Sequence, residues 1–102
     1  RNGKMRKVYY HATPFFFYYK VLTEGIHTGC DGVVYLCKRP DDAAKFVIIR
    51  GYKKTLVLGV VVEENMVEES FDHSEAFFKC KAYMYPEGIP SSCVVDARIY
   101  EI

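Results

Sequence analysis

The apolar residues of the chain fall into short runs separated by glycine, proline and charged residues. The runs at 7–11, 33–37, 55–63 and 77–85 are rich in β-branched and aromatic residues, which favours β-strands. The run at 55–63 is almost continuously apolar. We therefore expect a central strand there, covered on both faces.

The last ten residues, 93–102, show a different pattern, because apolar and polar positions alternate. Alternation with a period of two predicts a half-buried antiparallel strand. One side of this strand carries Val95, Ala97 and Ile99, and the other carries Asp96, Arg98 and Tyr100.

Two segments have the signals of helices. Thr13 followed by Pro14 predicts an N-cap and a first helical residue, and Gly25 predicts the end of a helix over 14–24. A helix buries a single stripe of side chains, so Phe15, Phe16 and Phe17 cannot all face one core. We expect one of them to be exposed or to line a pocket.

The second predicted helix spans residues 40–50 and ends before Gly51. Asp41 and Asp42 lie in its first turn, where carboxylates suit the positive end of the helix dipole. The segments 25–32, 64–76 and 86–90 are polar or contain glycine and proline, which is typical of loops and turns.

The order of elements is therefore β-α-β-α-β-loop-β-β. A doubly wound parallel sheet requires a helix between successive strands, and two helices are too few for five strands. We predict an α+β fold with a mixed or split, mostly antiparallel sheet and two helices.

Length and composition restrict the classes that remain. A chain of 102 residues fits one compact domain, and a formal charge of +1 argues against a strongly basic nucleic-acid-binding protein, although a local patch remains open. No apolar run reaches the length of a membrane span. Residues 1–4 are interpreted as a tag remnant before a natural start at Met5, the alternative being a fragment of a longer protein. We expect a single domain over 5–102.

Four cysteines, at 30, 37, 80 and 93, lack the C-x-x-C spacing common in zinc sites, so no metal site is predicted. The N-terminus shows no signal-peptide pattern, so we expect thiols in a cytoplasmic protein. Cys37 and Cys93 lie in apolar stretches and are expected to be buried.

An ordered set of short motifs adds a functional hypothesis. The chain carries YYHAT on its first strand, EGI at the end of the first helix, GVVYLC before a helix that begins DDAA, then LVLGVVVE and GIPSSCVV. This set, which covers the chain from Lys7 to Val95, resembles the ADP-ribosyltransferase-like fold. The similarity is to compact bacterial and phage members and to the catalytic lobe of RNA 2′-phosphotransferases.

The resemblance implies a split sheet whose cleft holds NAD as co-substrate. By this resemblance His11 and Thr13 meet the adenosine-side ribose, and Tyr35 stacks on the nicotinamide. The predicted cofactor-binding residues are Tyr10, His11, Ala12, Thr13, Tyr35 and Arg39, and the predicted catalytic residues are His11, Tyr35 and Lys81.

Lys81 is a departure from the family pattern, because it stands about where a glutamate is expected. A lysine cannot accept hydrogen bonds from ribose hydroxyls. Among the basic residues Lys38, Arg39, Lys45 and Arg50, interpreted as a solvated helix face, Arg39 is the first candidate for a phosphate contact. His27 and His73 are interpreted as solvated.

The chemistry of His11 supports nucleotide binding independently of the resemblance. A neutral imidazole donates from one nitrogen and accepts at the other, which suits a vicinal diol. The default interpretations remain a partly buried core histidine, an N-cap for Thr13 and an ordinary strand aromatic for Tyr35.

Three functions therefore remain open. The first is ADP-ribosyl transfer from NAD to a protein or nucleic acid. The second is a non-catalytic domain that binds NAD, ADP-ribose or another nucleotide. The third is a partner-binding protein or inhibitor that uses the surplus aromatic residues at 15–19 and 83–85 as an interface.

Overall fold

The computed structural model describes residues 5–70 and 81–102. The predicted tag remnant, His73, Cys80 and the first part of the predicted strand 77–85 lie outside the described residues. The described helices and strands are β1 (Arg6–Pro14), α1 (Tyr18–Glu24), β2 (Val34–Leu36), α2 (Pro40–Ile48), β3 (Lys54–Glu63), β4 (Glu68–Ser70), β5 (Ala82–Tyr85) and β6 (Val94–Glu101).

The first sheet is antiparallel, with strand order β1-β3-β6. His11 of β1 lies opposite Leu58 of β3, which in turn lies opposite Ala97 of β6. The strand β3 is thus central, and nearly every residue from Thr55 to Val62 is buried. The prediction of a central strand covered on both faces is confirmed.

The second sheet is also antiparallel and has the order β2-β5-β4. An isolated β-bridge between Tyr10 and Cys37 joins it to the first sheet, with two backbone hydrogen bonds of 2.8 Å. The described residues therefore form an α+β domain with two α-helices and two antiparallel three-stranded sheets. The sequence prediction of this class is confirmed, although it did not identify β4.

The two faces of β3 carry two separate cores, because successive side chains of a strand point in opposite directions. Leu56, Leu58, Val60 and Val62 belong to the larger core, which packs against α1 and the second sheet. Val57 belongs to the smaller core beneath α2, with Ala43, Ala44 and Cys37.

The start of the first helix differs from the prediction. Thr13 and Pro14 are the last residues of β1, and a 3-10 turn over Phe15–Phe17 precedes α1. Thr13 is therefore not an N-cap. Its backbone is held in the strand by its register with Leu56, and this pairing overrides the local capping signal. The second helix matches its prediction, with Asp41 and Asp42 in its first turn.

Gly25 ends α1, as predicted, in a conformation that only glycine adopts readily (φ 80°, ψ −164°). A Cβ at this position would lie 2.4 Å from the carbonyl oxygen of Ile89. The close approach allows Ile26 and Ile89 to form an isolated β-bridge. This bridge ties the loop after α1 to the turn at 86–90.

The terminal strand β6 alternates as predicted, but its covered side is the polar one. Tyr100 packs against the core beneath α2 and donates a 2.6 Å hydrogen bond to Asp41. On the apolar side, Val95 and Ile99 are each more than half exposed. Cover by α2 thus decides which side of the strand is buried.

Of the described cysteines, Cys37 is buried as expected, Cys93 is half-buried and Cys30 is exposed; all three are thiols. Within the described residues, no helix is long and apolar enough to cross a membrane.

Candidate functional site

His11 and Thr13 lie on the same face of β1 and line a crevice of about 420 Å³. The period-two geometry of a strand brings their side chains together. The other walls come from α1, from the loop before β2, and from the segment that follows α2. Residues of both β1 and β2 line the crevice, next to the Tyr10–Cys37 bridge between the two sheets.

A hydrogen bond fixes the ring of His11 in this crevice. Its Nδ1 lies 2.8 Å from the backbone carbonyl oxygen of Tyr35. A carbonyl oxygen can only accept, so the proton is assigned to Nδ1 and the Nε2 of the neutral ring is an acceptor. The ring is half-buried, and its hydrogen bond to β2 fixes its orientation. Its Nε2 can therefore accept a hydrogen bond from a hydroxyl group.

Burial lowers the pKa of His11 from its ordinary value of 6.5. The hydrogen bond to Tyr35 opposes this effect, and the positive charge of Arg50 adds to it. Desolvation and a nearby cation both disfavour the imidazolium. At neutral pH the ring is therefore the uncharged donor–acceptor that the geometry assigns.

Tyr35 contributes its side chain to the crevice as well as its carbonyl. The phenol hydroxyl donates a short hydrogen bond to Oδ2 of Asp31 in the preceding loop. Asp31 is the carboxylate residue among the described residues that line the crevice. A carboxylate and a phenol are thus held together in the crevice that the imidazole also lines.

The crevice also contains cationic groups. Lys20 of α1 and Arg50, which follows α2, both line it. Arg50 further lines a neighbouring cavity of about 360 Å³, together with His11, Ala12 and Tyr35. The two cavities therefore meet around these shared residues, and each has the size of a small-molecule site, roughly 300–1,000 Å³.

Two partly exposed aromatic rings, Phe17 and Tyr52, also line the crevice. The expectation for the phenylalanine run is confirmed, because Phe17 lines this pocket and Phe16 is exposed. Phe15 instead packs against the larger core and stacks on Tyr18 with ring centroids 5.6 Å apart.

The sequence-predicted site residues are partly brought together. Residues His11, Ala12, Thr13 and Tyr35 all line the crevice, and Tyr10 lines the neighbouring cavity. The remaining two, Arg39 and Lys81, line neither.

Lys81 immediately precedes β5 and is half exposed, with its ammonium 3.5 Å from Glu69. Arg39 is exposed and immediately precedes α2. The proposed catalytic role of Lys81 and the phosphate role of Arg39 therefore stay predictions, and the crevice provides no direct support for either.

Several lining residues were not identified from the sequence. Arg50, interpreted as part of a solvated helix face, reaches both cavities. His27, interpreted as solvated, lines the crevice and hydrogen-bonds Glu24 at 2.9 Å. Asp31 and Lys20 had no distinguishing local pattern. The one available signal was the Asp31–Tyr35 spacing across the entry to β2, which is too common to be selective.

Within the ranges 5–70 and 81–102, no group of three or more histidine, cysteine or acidic side chains is placed to hold a metal ion. The assembled groups are instead those that recognise a polar organic ligand: a neutral imidazole, hydroxyls, one carboxylate, two cations and flat aromatic faces. No protein-family profile matches the chain, and no curated protein matches it.

Proposed function

We propose that this domain binds NAD in the crevice and transfers the ADP-ribosyl group to a protein or nucleic-acid acceptor, as an ADP-ribosyltransferase-like protein. The observation that carries the proposal is that the side chains of His11 and Tyr35, from the two motifs most typical of that fold, line one crevice. The 2.8 Å hydrogen bond between them fixes this arrangement.

The residues present suit the chemical parts of NAD. The hydroxyl of Thr13 and the Nε2 of His11 provide partners for ribose hydroxyls. Lys20 and Arg50 provide positive charge for a diphosphate. The rings of Tyr35 and Phe17 provide apolar faces for planar groups.

The transfer requires that the bond between the ribose C1′ and the nicotinamide nitrogen breaks, with the electron pair leaving on neutral nicotinamide. A nucleophilic oxygen or nitrogen of the acceptor then bonds to C1′ and loses its proton to the solvent. Positive charge develops on the ribose as the first bond breaks. A fixed carboxylate such as Asp31 stabilises this charge, while the other residues orient the reactants.

The second candidate is a domain that binds NAD or ADP-ribose without transfer. It is favoured by one observation: Lys81, at the position where a catalytic glutamate was expected, is paired with Glu69 and lies outside both cavities. In this case the crevice serves recognition alone.

Calorimetry with NAD and with ADP-ribose tests both candidates, combined with a chromatographic assay for released nicotinamide. Binding of both ligands with release of nicotinamide supports transfer. Binding without release supports the second candidate. If neither ligand binds at millimolar concentrations, both candidates are wrong.

A matched pair of variants locates the binding site. Tyr35→Leu removes a ring from the crevice, whereas Tyr19→Leu removes an exposed ring that lines neither cavity. We expect NAD affinity to fall about tenfold for Tyr35→Leu, as for the loss of one stacking contact, and to stay unchanged for Tyr19→Leu. Equal effects would mean that the ligand binds elsewhere.

A further inference from the structure

Beside the crevice, three exposed aromatic rings form a continuous surface, here called the aromatic surface: Phe16, Phe17 and Tyr52. Phe16 is 69% exposed, and its ring centroid lies 4.7 Å from that of Phe17 and 6.0 Å from that of Tyr52. A cluster of exposed apolar rings is typical of an interaction surface, because a bound partner removes their apolar area from water.

Cations border the aromatic surface. The guanidinium carbon of Arg50 lies 6.0 Å from the centroid of the Tyr52 ring, and Lys20 lines the crevice beside Phe17 and Tyr52. Lys54 places its ammonium 4.2 Å from the centroid of Phe15, the residue next to Phe16. Arg50 thus contacts a ring of the aromatic surface, Lys20 shares the crevice with two of its rings, and Lys54 contacts the ring next to it in sequence.

None of these three cations forms a salt bridge with a carboxylate of the described residues. Glu101 lies opposite Lys54 in the sheet register, but no ion pair joins the two side chains. By contrast, Lys7, Lys45, Lys81 and Arg98 are each paired with an acidic neighbour. Positive charge near the aromatic surface is thus available to an anionic partner.

We infer that the aromatic surface binds single-stranded nucleic acid. Bases present flat faces that stack on exposed rings, and the phosphates between them match cations at the border of those rings. A duplex fits less well, because its bases are already stacked inside the helix. An acidic peptide would satisfy the cations but would offer no comparable faces to the rings.

The surface is continuous with the crevice, because Phe17 and Tyr52 belong to both and the cations Arg50 and Lys20 also line the crevice. A strand stacked there therefore runs past the mouth of the crevice. The inference that this strand is the ADP-ribose acceptor rests on the proposed function, and it favours nucleic acid over protein as that acceptor. The inference that the aromatic surface binds a single strand does not depend on NAD binding.

Fluorescence anisotropy with labelled 12-nucleotide DNA and RNA strands, in the absence of NAD, tests the surface. With three phosphate contacts, the logarithm of the affinity should fall against the logarithm of salt concentration with a slope of about −2. A duplex of the same sequence should bind more weakly than the single strand. Equal affinity for duplex and single strand would overturn the stacking argument.

Two variants and two matched controls locate the contact. Phe16→Ala should weaken strand binding about tenfold, and Arg50→Gln should weaken it and make the salt slope less negative by about 0.7. Ile99→Ala and Lys45→Gln alter an exposed apolar residue and a cation outside the surface. Both variants should leave the strand affinity and its salt slope unchanged. Circular dichroism confirms that each variant is folded.

The remaining outcomes separate this inference from the proposed function. Strand binding without nicotinamide release supports the surface and contradicts transfer. Nicotinamide release with a protein acceptor and no strand binding supports transfer and overturns the surface. Loss of self-association on Phe16→Ala in sedimentation, without strand binding, overturns the inference and means that a second copy covers the rings. Binding of a labelled acidic peptide, without binding of the labelled strands, would also overturn the inference.

Discussion

The imidazole of His11 donates its Nδ1 proton to the backbone carbonyl oxygen of Tyr35, across a distance of 2.8 Å. The two residues lie 24 positions apart in the chain and on different sheets. In the adjoining residues, Tyr10 and Cys37 form an isolated β-bridge between the same two sheets. One nitrogen of the histidine therefore joins the two sheets, and under the proposed function the other accepts a hydrogen bond from the ligand.

Substitutions of His11 should separate these two roles. Asparagine keeps an amide donor near the position of Nδ1 but has nothing at the position of Nε2. We expect His11→Asn to retain most of the free energy of unfolding and to lose NAD affinity, measured by urea denaturation and calorimetry. His11→Ala should lose the affinity and also about 1 kcal/mol of stability, as for one hydrogen bond. Equal stability of the two variants would contradict a structural role for Nδ1.

The pH dependence of stability should report the same histidine. Burial lowers the pKa of His11 in the folded state below the ordinary value of 6.5, so between these two values the unfolded chain binds more protons than the folded chain. The free energy of unfolding should therefore be level above about pH 7 and fall as pH drops below 6.5, by at most about 1.4 kcal/mol per unit. Urea midpoints from pH 5 to 8 measure this, and the non-titrating His11→Asn variant should show a shallower fall. Identical profiles would exclude His11 as the cause.

The surroundings of His11 show which parts of the site were predictable from the sequence. The resemblance assigned His11 and Thr13 to one site, and both line the same crevice, although the strand was expected to end at His11. The Thr13 N-cap was wrong because pairing of β1 with β3 extends the strand through Pro14. Arg50 and Asp31 were missed since their approach to the crevice depends on how α2 and the loop before β2 fold back on β1. Such contacts over long sequence separations leave no local pattern.

Asp31 should affect turnover more than binding. Its carboxylate accepts the Tyr35 hydroxyl within the crevice, where it can stabilise positive charge developing on a ribose. We expect Asp31→Asn to reduce nicotinamide release about tenfold or more while changing NAD affinity little. The matched control is Asp41→Asn, because Asp41 likewise accepts a tyrosine hydroxyl, from Tyr100, but lines neither cavity. A similar loss in both variants would point to stability rather than chemistry.

Thr55 provides a test that is independent of function. Its side chain is fully buried in β3, and its hydroxyl has no hydrogen-bond partner within the part of the chain that the structure describes. A buried hydroxyl without a partner is destabilising, so Thr55→Val should raise the free energy of unfolding by about 1 kcal/mol. Thr55→Ser retains the hydroxyl and removes a buried methyl group, and should lower it by about 1 kcal/mol. Destabilisation by valine would show that the hydroxyl has a partner.

Gly25 should be the least tolerant of the glycines beside the crevice. Alanine at this position combines a positive φ of 80° with a Cβ 2.4 Å from the carbonyl oxygen of Ile89, a backbone atom that cannot swing away. Relief of the clash would separate the loop after α1 from the turn that carries Ile89, and would break the Ile26–Ile89 bridge. We expect Gly25→Ala to cost more than about 3 kcal/mol, measured by urea denaturation.

The control for Gly25 is Gly32, which has a similar φ of 82° but no atom within 4 Å of the position that a Cβ would occupy. The cost of Gly32→Ala is therefore confined to the backbone conformation, about 1–2 kcal/mol. The difference between the two variants isolates the close approach to Ile89. Because Gly25 and Ile26 also line the crevice, Gly25→Ala should weaken NAD binding even under conditions where the variant is folded. Equal destabilisation by the two alanines would mean that the loop yields without disturbing the bridge, and that this wall of the crevice is not fixed by the Ile26–Ile89 contact.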